Sequence, residues 1–163
     1  FLPVYLREDL EFSAARVAIY LALAEIVGIG AQPIMGFLSD RFSRKAVLVP
    51  GLAVSAVLSL LLAVADPGVQ LFLLVAVTGA FSFSLHHIFI AAALDAAKGQ
   101  VQSTVVSLIY GSGLLATFSP YVAGTIADYF GDVRSAFVYG GAIILIPVAM
   151  LTWLKFPEKG ASH

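Results

Sequence analysis

Glu25 and His86 are ionisable residues inside long apolar stretches, and proton transfer is the chemistry that they could perform there. Glu25 lies near the middle of the apolar stretch 14–38, and His86 lies within the stretch 69–94. An ionisable side chain at the centre of a bilayer costs at least about 2.5–3.5 kcal/mol, so it faces a partner or a wet cavity. A carboxyl group there suits a proton carrier that loads and releases a proton, and imidazole is a second carrier.

Other polar side chains are spaced so that they could join these two residues. Gln32 follows Glu25 on the same helical stripe, and Ser82 precedes His86 by four residues, which places both on one face. Tyr110 lies at a similar depth to His86, counted from the ends of their stretches. We therefore expect a substrate and proton pathway formed by Glu25, Gln32, Ser82, His86 and Tyr110. Two structural roles remain open: a protonated Glu25 bonded across a helix interface, and a hydrogen-bonded structural histidine.

The elements that must position these residues are membrane-spanning helices. The chain has 163 residues, of which 60% are hydrophobic and 12% charged, whereas a soluble domain carries roughly 25% charged residues. A bilayer needs roughly 20 apolar residues per helix, and five stretches satisfy this: 14–38, 46–65, 69–94, 101–127 and 136–154. The connections are short, so the prediction is an all-α integral membrane protein with five complete transmembrane helices in one antiparallel bundle.

Composition also excludes several classes of function. The net charge of −1 argues against a nucleic-acid binder, and the absence of cysteine excludes disulfides and thiolate metal sites. His86 and His87 are adjacent on a helix and point in different directions, so we expect no metal site and no cofactor. No nucleophile elbow, zinc-protease helix or phosphate-binding loop occurs, so we do not expect an enzyme.

The distribution of basic residues predicts the orientation. Cytoplasmic loops carry an excess of Lys and Arg. Alternate connections place six basic residues on one side and three on the other; the six are Arg41, Arg44, Lys45, Lys98, Lys155 and Lys159. We therefore expect the C-terminus to be cytoplasmic, with the bacterial inner membrane as the location.

The five stretches differ in polarity, which predicts their surroundings. Stretches 14–38, 69–94 and 101–127 contain most of the polar residues, whereas 46–65 and 136–154 contain few. Polar groups in hydrocarbon face protein or a wet cavity. We expect the first three helices to line such a cavity and the other two to face lipid.

One connection carries a recognisable sequence pattern. It reads Gly36-Phe-Leu-Ser-Asp40-Arg41-Phe-Ser-Arg44-Lys45-Ala-Val-Leu48. This run resembles the cytoplasmic loop signature of the major facilitator superfamily, G-x-L-A/S-D-R-x-G-R-R/K-x-x-L, with Ser43 where the pattern has its second glycine. The stretch 111–124, rich in glycine and proline, resembles the gating helix of the same family more loosely. The basic residues could alternatively be ordinary membrane anchors.

The resemblance implies a gate. Gly36 would allow two helices to approach closely, and Asp40 would lie against the N-terminus of another helix. Arg41 or Arg44 would pair with Asp95, as in the family's cytoplasmic charge cluster, and Lys45 belongs to the same motif. A solvated or capping Asp95 is the alternative role.

The resemblance also implies an activity. The five spans would be helices eight to twelve of a secondary transporter, after a remnant of helix seven, with an N-terminal half missing from this chain. Such a protein moves a small solute through the lipid bilayer by alternating access, and the ionisable residues predict coupling to protons. A non-transporting receptor or assembly subunit on the same fold, or a membrane enzyme, is the alternative.

Overall fold

The computed structural model describes residues 1–96 and 102–153, and every regular element in these ranges is helical. The chain begins with a short segment in which α1 (Leu2–Val4) continues into a π-helical turn, Tyr5–Asp9. Six longer helices follow, namely α2 (Ala14–Arg41), α3 (Arg44–Ala63), α4 (Val69–Ala96), α5 (Gln102–Ala116), α6 (Ser119–Phe130) and α7 (Arg134–Trp153).

Four of these helices are long and apolar enough to cross a membrane: α2, α3, α4 and α7. Each has at least 20 residues, and 20 residues at 1.5 Å per residue span the roughly 30 Å of a bilayer core. The all-α membrane architecture predicted from hydropathy is therefore confirmed, with four spans in the described residues rather than five.

The predicted span 101–127 differs from the structure, where α5 and α6 are separated at Thr117 and Phe118. Pro120 occupies the first turn of α6. Proline has no N–H to donate to the carbonyl four residues before it, and its ring crowds that carbonyl, so one helix is interrupted and a new helix begins here. The hydropathy of 101–127 is an average over the whole stretch, so it does not reveal this break. Residue 101 lies outside the described ranges.

The packing order of the helices places α4 and α3 in the middle. The most extensive contacts are between α2 and α4, followed by those between α3 and α7, and α4 also packs against α3. α6 packs against α7, whereas α5 contacts its neighbours little. Although α2 and α3 are consecutive, they contact each other only slightly, because both pack mainly against other helices.

Two apolar clusters lie at opposite ends of the bundle. We call the end that contains residues 39–45 and Asp95 the motif end, and its cluster includes Leu48, Leu85 and Leu151. The other, which we call the distal end, is closed by the segment that precedes α2. There Tyr5 is fully buried, its hydroxyl donates to the Ala65 carbonyl oxygen at 3.3 Å, and its ring meets Phe137 edge-on at 5.3 Å.

Glycines permit the close crossing of α2 and α4. A Cβ added to Gly28 would lie 3.0 Å from the Gly79 carbonyl oxygen and 2.5 Å from the Phe83 side chain. A Cβ on Gly79 would lie 2.6 Å from the Cα of Ala24. Backbone atoms cannot move aside as a flexible side chain can, so the crossing requires glycine at position 79.

Replacement of Gly79 by alanine should therefore destabilise the protein. The clash with the Ala24 backbone forces α2 and α4 apart, and overpacking of this kind costs about 1–3 kcal/mol. Gly30→Ala is the matched control, since a Cβ at Gly30 has nothing within 4 Å and alanine favours a helix. Thermal unfolding in detergent micelles should show a lower midpoint for Gly79→Ala and an unchanged or higher midpoint for Gly30→Ala. Equal midpoints would contradict the crossing.

Candidate functional site

The connection between α2 and α3 consists of Phe42 and Ser43. Ser43 has an extended backbone, with φ 162° and ψ 159°, and its hydroxyl accepts a hydrogen bond from the Ala46 amide at 3.1 Å. Such an N-cap satisfies one of the free amides in the first turn of a helix. Extended backbone is open to any residue, so serine replaces the glycine of the signature without strain and also begins α3.

Arg44 joins three helices at the motif end. Its Nη1 lies 2.8 Å from Asp40 Oδ1 at the end of α2, and its Nε donates to Asp95 Oδ2 at 2.9 Å at the end of α4. The Arg44 side chain is 18% exposed, whereas the two carboxylates are about half exposed. The structure therefore brings Asp40, Arg44 and Asp95 together, and of the two arginines considered as partners of Asp95 it is Arg44 that makes the contact.

Ser39 is a member of this site that the sequence did not single out. It is fully buried, and its hydroxyl accepts a hydrogen bond from Arg44 Nη1 at 3.1 Å. A buried hydroxyl left without a partner costs about 1–3 kcal/mol, so Ser39 favours the observed position of the guanidinium. The sequence did contain an indication of this role, because the loop signature requires a small residue, Ala or Ser, immediately before Asp40.

The other two basic residues of the signature have different environments. Lys45 Nζ donates to the Thr152 carbonyl oxygen at 2.9 Å, which ties the start of α3 to the end of α7, where cations interact favourably with the last carbonyls of a helix. Arg41 is exposed, and its guanidinium carbon lies 5.9 Å from the centre of the Phe42 ring. Among the described residues, Arg41 enters no ion pair.

Within the described residues Gly36 makes no close contact with another helix, and its expected role in a close helix approach stays a prediction. A Cβ on Gly36 would meet no described atom within 4 Å. Within the described chain, the close approach of α2 to another helix occurs at Gly28 instead, because α4 crosses there. An interaction of Asp40 with the N-terminus of another helix stays a prediction.

The predicted intramembrane residues do not form a bonded cluster. Glu25, Ser82, His86 and Tyr110 are exposed, and Gln32 is partly buried. No side-chain hydrogen bond or ion pair joins any of these five to another residue of the described part of the chain. His86 instead meets His87 edge-on at 5.7 Å.

The exposed faces of the helices nevertheless differ in chemistry. The exposed side chains of α3 between Val54 and Val64 are all apolar, as are those of α7 from Val138 to Trp153 apart from Thr152. The exposed faces of α2 and α4 include Glu25, Ser82 and His86 among their apolar residues. This contrast agrees with the expected division into lipid-facing and cavity-lining helices, although what each face contacts stays a prediction.

A double-mutant cycle should distinguish the two arginines. We expect Arg44→Gln and Asp95→Asn to couple by about 0.5–1 kcal/mol in the free energy of unfolding, the range of partly exposed ion pairs. The matched cycle with Arg41→Gln and Asp95→Asn should be additive. Unfolding in detergent at low salt measures both cycles, and coupling that is equal or larger for Arg41 would contradict the observed pairing.

Comparison with known proteins identifies the family. No curated protein and no solved structure matches the chain significantly. The family model described as Major Facilitator Superfamily matches residues 1–163. This match includes the loop signature and the four long apolar helices described above. The chain therefore belongs to the major facilitator superfamily.

Proposed function

Members of this superfamily are secondary transporters, and we propose that this chain forms the C-terminal portion of one that moves a small solute by alternating access, coupled to protons. The observation that carries this proposal is the Arg44 site, where one guanidinium joins the ends of α2, α3 and α4 through Asp40 and Asp95. In this proposal α2, α3 and α4 correspond to helices eight, nine and ten of the family, α5 together with α6 to helix eleven, and α7 to helix twelve.

The two ends of the bundle suit different roles in such a cycle. Partly exposed ion pairs contribute only about 0–1 kcal/mol each, so the contacts of Arg44 can break and re-form as the protein changes state. The distal end depends on buried aromatic rings, including Tyr5 and Phe137. Alternating access requires two states whose free energies differ by only a few kcal/mol. A free-energy change of that size is enough to break the ion pairs at the motif end, so we assign the opening to this end.

The break between α5 and α6 also suits a moving element. The two helices meet at Thr117 and Phe118, and α5 packs only slightly against the remainder of the described bundle. Discontinuous helices are tolerated in membranes where protein or a wet cavity surrounds them. We therefore assign this region as the gating helix.

Proton coupling is assigned to Glu25 and His86. Both are exposed on the described helices, and exposure to hydrocarbon would be costly for either. In the proposal, an N-terminal half covers the polar faces of α2 and α4, and the solute binds between the halves together with Gln32, Ser82 and Tyr110. The open space beside Gly36 is then filled by a helix of that half.

Replacement of Glu25 by glutamine should abolish coupling but retain solute exchange. The complete polypeptide that contains this chain is reconstituted in vesicles with a pH-sensitive dye inside, and drugs, sugars, organic acids and amino acids are added in turn. The wild type should change the internal pH with its solute, whereas Glu25→Gln should not, because glutamine cannot carry a proton. Exchange of labelled for unlabelled solute should continue in the variant.

The matched control is Glu8→Gln, which removes an exposed carboxylate outside the long helices. It should preserve the pH change. A Glu25→Gln protein that still moves protons with solute would contradict the assignment of Glu25.

The proposed orientation, with the motif end in the cytoplasm, can be tested by labelling. The chain has no cysteine, so single cysteines can be introduced as labels. A cysteine in place of Phe42 reports the motif end, and one in place of Asp66 reports the distal end. A membrane-impermeant thiol reagent added to intact cells should label Asp66→Cys and not Phe42→Cys, and disruption of the membrane should expose both. The reverse pattern would contradict the orientation.

A further inference from the structure

An apolar groove of about 460 Å³ opens between α2 and α3 near the motif end. The groove exists because α2 and α3 contact each other little and both pack against α4, which contributes Phe81 between them. Its walls are Met35 and Leu38 from α2, Phe42 from the connection that follows, and residues of α3 from Ala46 to Val54. That stretch of α3 is about 12 Å long at 1.5 Å per residue, so the groove is elongated along the axis of α3.

A cation lies beside one of the residues that line the groove, at its motif end. Arg41 immediately precedes Phe42, which lines the groove, and its guanidinium lies near the Phe42 ring. The two other basic residues of the signature are engaged, Arg44 with Asp40 and Asp95 and Lys45 with the end of α7. Arg41 is exposed and has no carboxylate partner in the described part of the chain.

We propose that this groove binds an anionic glycerophospholipid, with one acyl chain against the apolar walls and the phosphate at Arg41. An acyl chain would contact the apolar walls of the groove. The guanidinium of Arg41 can bind a phosphate with two parallel hydrogen bonds. The chain belongs to a membrane protein family, so lipid is available to an exposed apolar groove. The proposal extends beyond transport, and lipid binding is measured without solute flux.

Native mass spectrometry tests the headgroup contact. Purified protein in detergent is given equal amounts of phosphatidylglycerol and phosphatidylcholine with the same acyl chains. The wild type should bind phosphatidylglycerol about fivefold more tightly, the factor that corresponds to about 1 kcal/mol per basic residue at an anionic surface, and Arg41→Gln should remove this preference. Arg16→Gln is the matched control, because Arg16 is an exposed arginine beside the Phe12 ring near the distal end. Preference that survives Arg41→Gln, or that is lost equally in Arg16→Gln, would overturn the proposal.

Photocrosslinking tests the occupant of the groove. A benzophenone amino acid replaces Ala46, which lines the groove, or Ala149, an exposed residue of α7 outside it. In vesicles containing both lipids, adducts at position 46 should be enriched in phosphatidylglycerol, and Arg41→Gln should remove the enrichment. Adducts at position 149 should follow the composition of the bilayer. Crosslinks from position 46 to polypeptide, no adduct there, or unenriched lipid adducts would overturn the proposal.

Discussion

The lack of hydrogen-bonding partners in hydrocarbon is the constraint on which this structure depends. Every backbone amide and carbonyl at membrane depth must be satisfied within the protein, so the spanning elements are helices. Some hydroxyls on these helices bond to a carbonyl of the preceding turn, as when Ser55 donates to the Gly51 carbonyl oxygen at 2.9 Å. The hydroxyls of Thr78 and Ser84 in α4, in contrast, are buried without a partner among the described residues. Where the helix breaks after α5, Thr117 donates to the Gly113 carbonyl oxygen at 3.2 Å. Backbone hydrogen bonding within each helix therefore determines the architecture, and side-chain hydroxyls add to it at a few positions.

Because of this constraint, polar and charged side chains can be placed at a low free-energy cost only near the ends of the helices. At the motif end, Arg44 binds two half-exposed carboxylates and the buried Ser39 hydroxyl. At the distal end, the bundle is closed by aromatic packing around Tyr5. The same bundle therefore combines one end held by weak, reversible ion pairs with one end held by buried apolar surface. In the proposed cycle, this asymmetry decides which contacts break first.

The sequence was most informative where length and charge decide the structure. Hydropathy predicted four spans that the structure contains. The resemblance to the loop signature implied that Arg41 or Arg44 pairs with Asp95, and the structure shows Arg44 in this pair with Asp40 as a second partner. The sequence could not choose between Arg41 and Arg44, because that choice depends on the buried Ser39 hydroxyl. It could not locate the close helix crossing either: lipid and protein interior are equally apolar, so nothing in the pattern separates Gly36, which has open space, from Gly79, which meets Ala24.

The central claim, that this chain is part of a secondary transporter, is tested most directly by counterflow. Vesicles that contain the complete polypeptide are loaded with unlabelled solute and diluted into a trace of the same solute in labelled form, without any ion gradient. A carrier that alternates its access should accumulate label transiently above the external concentration and then release it as the internal solute is lost. Label that never exceeds equilibrium, for every solute that the protein binds, would contradict the account.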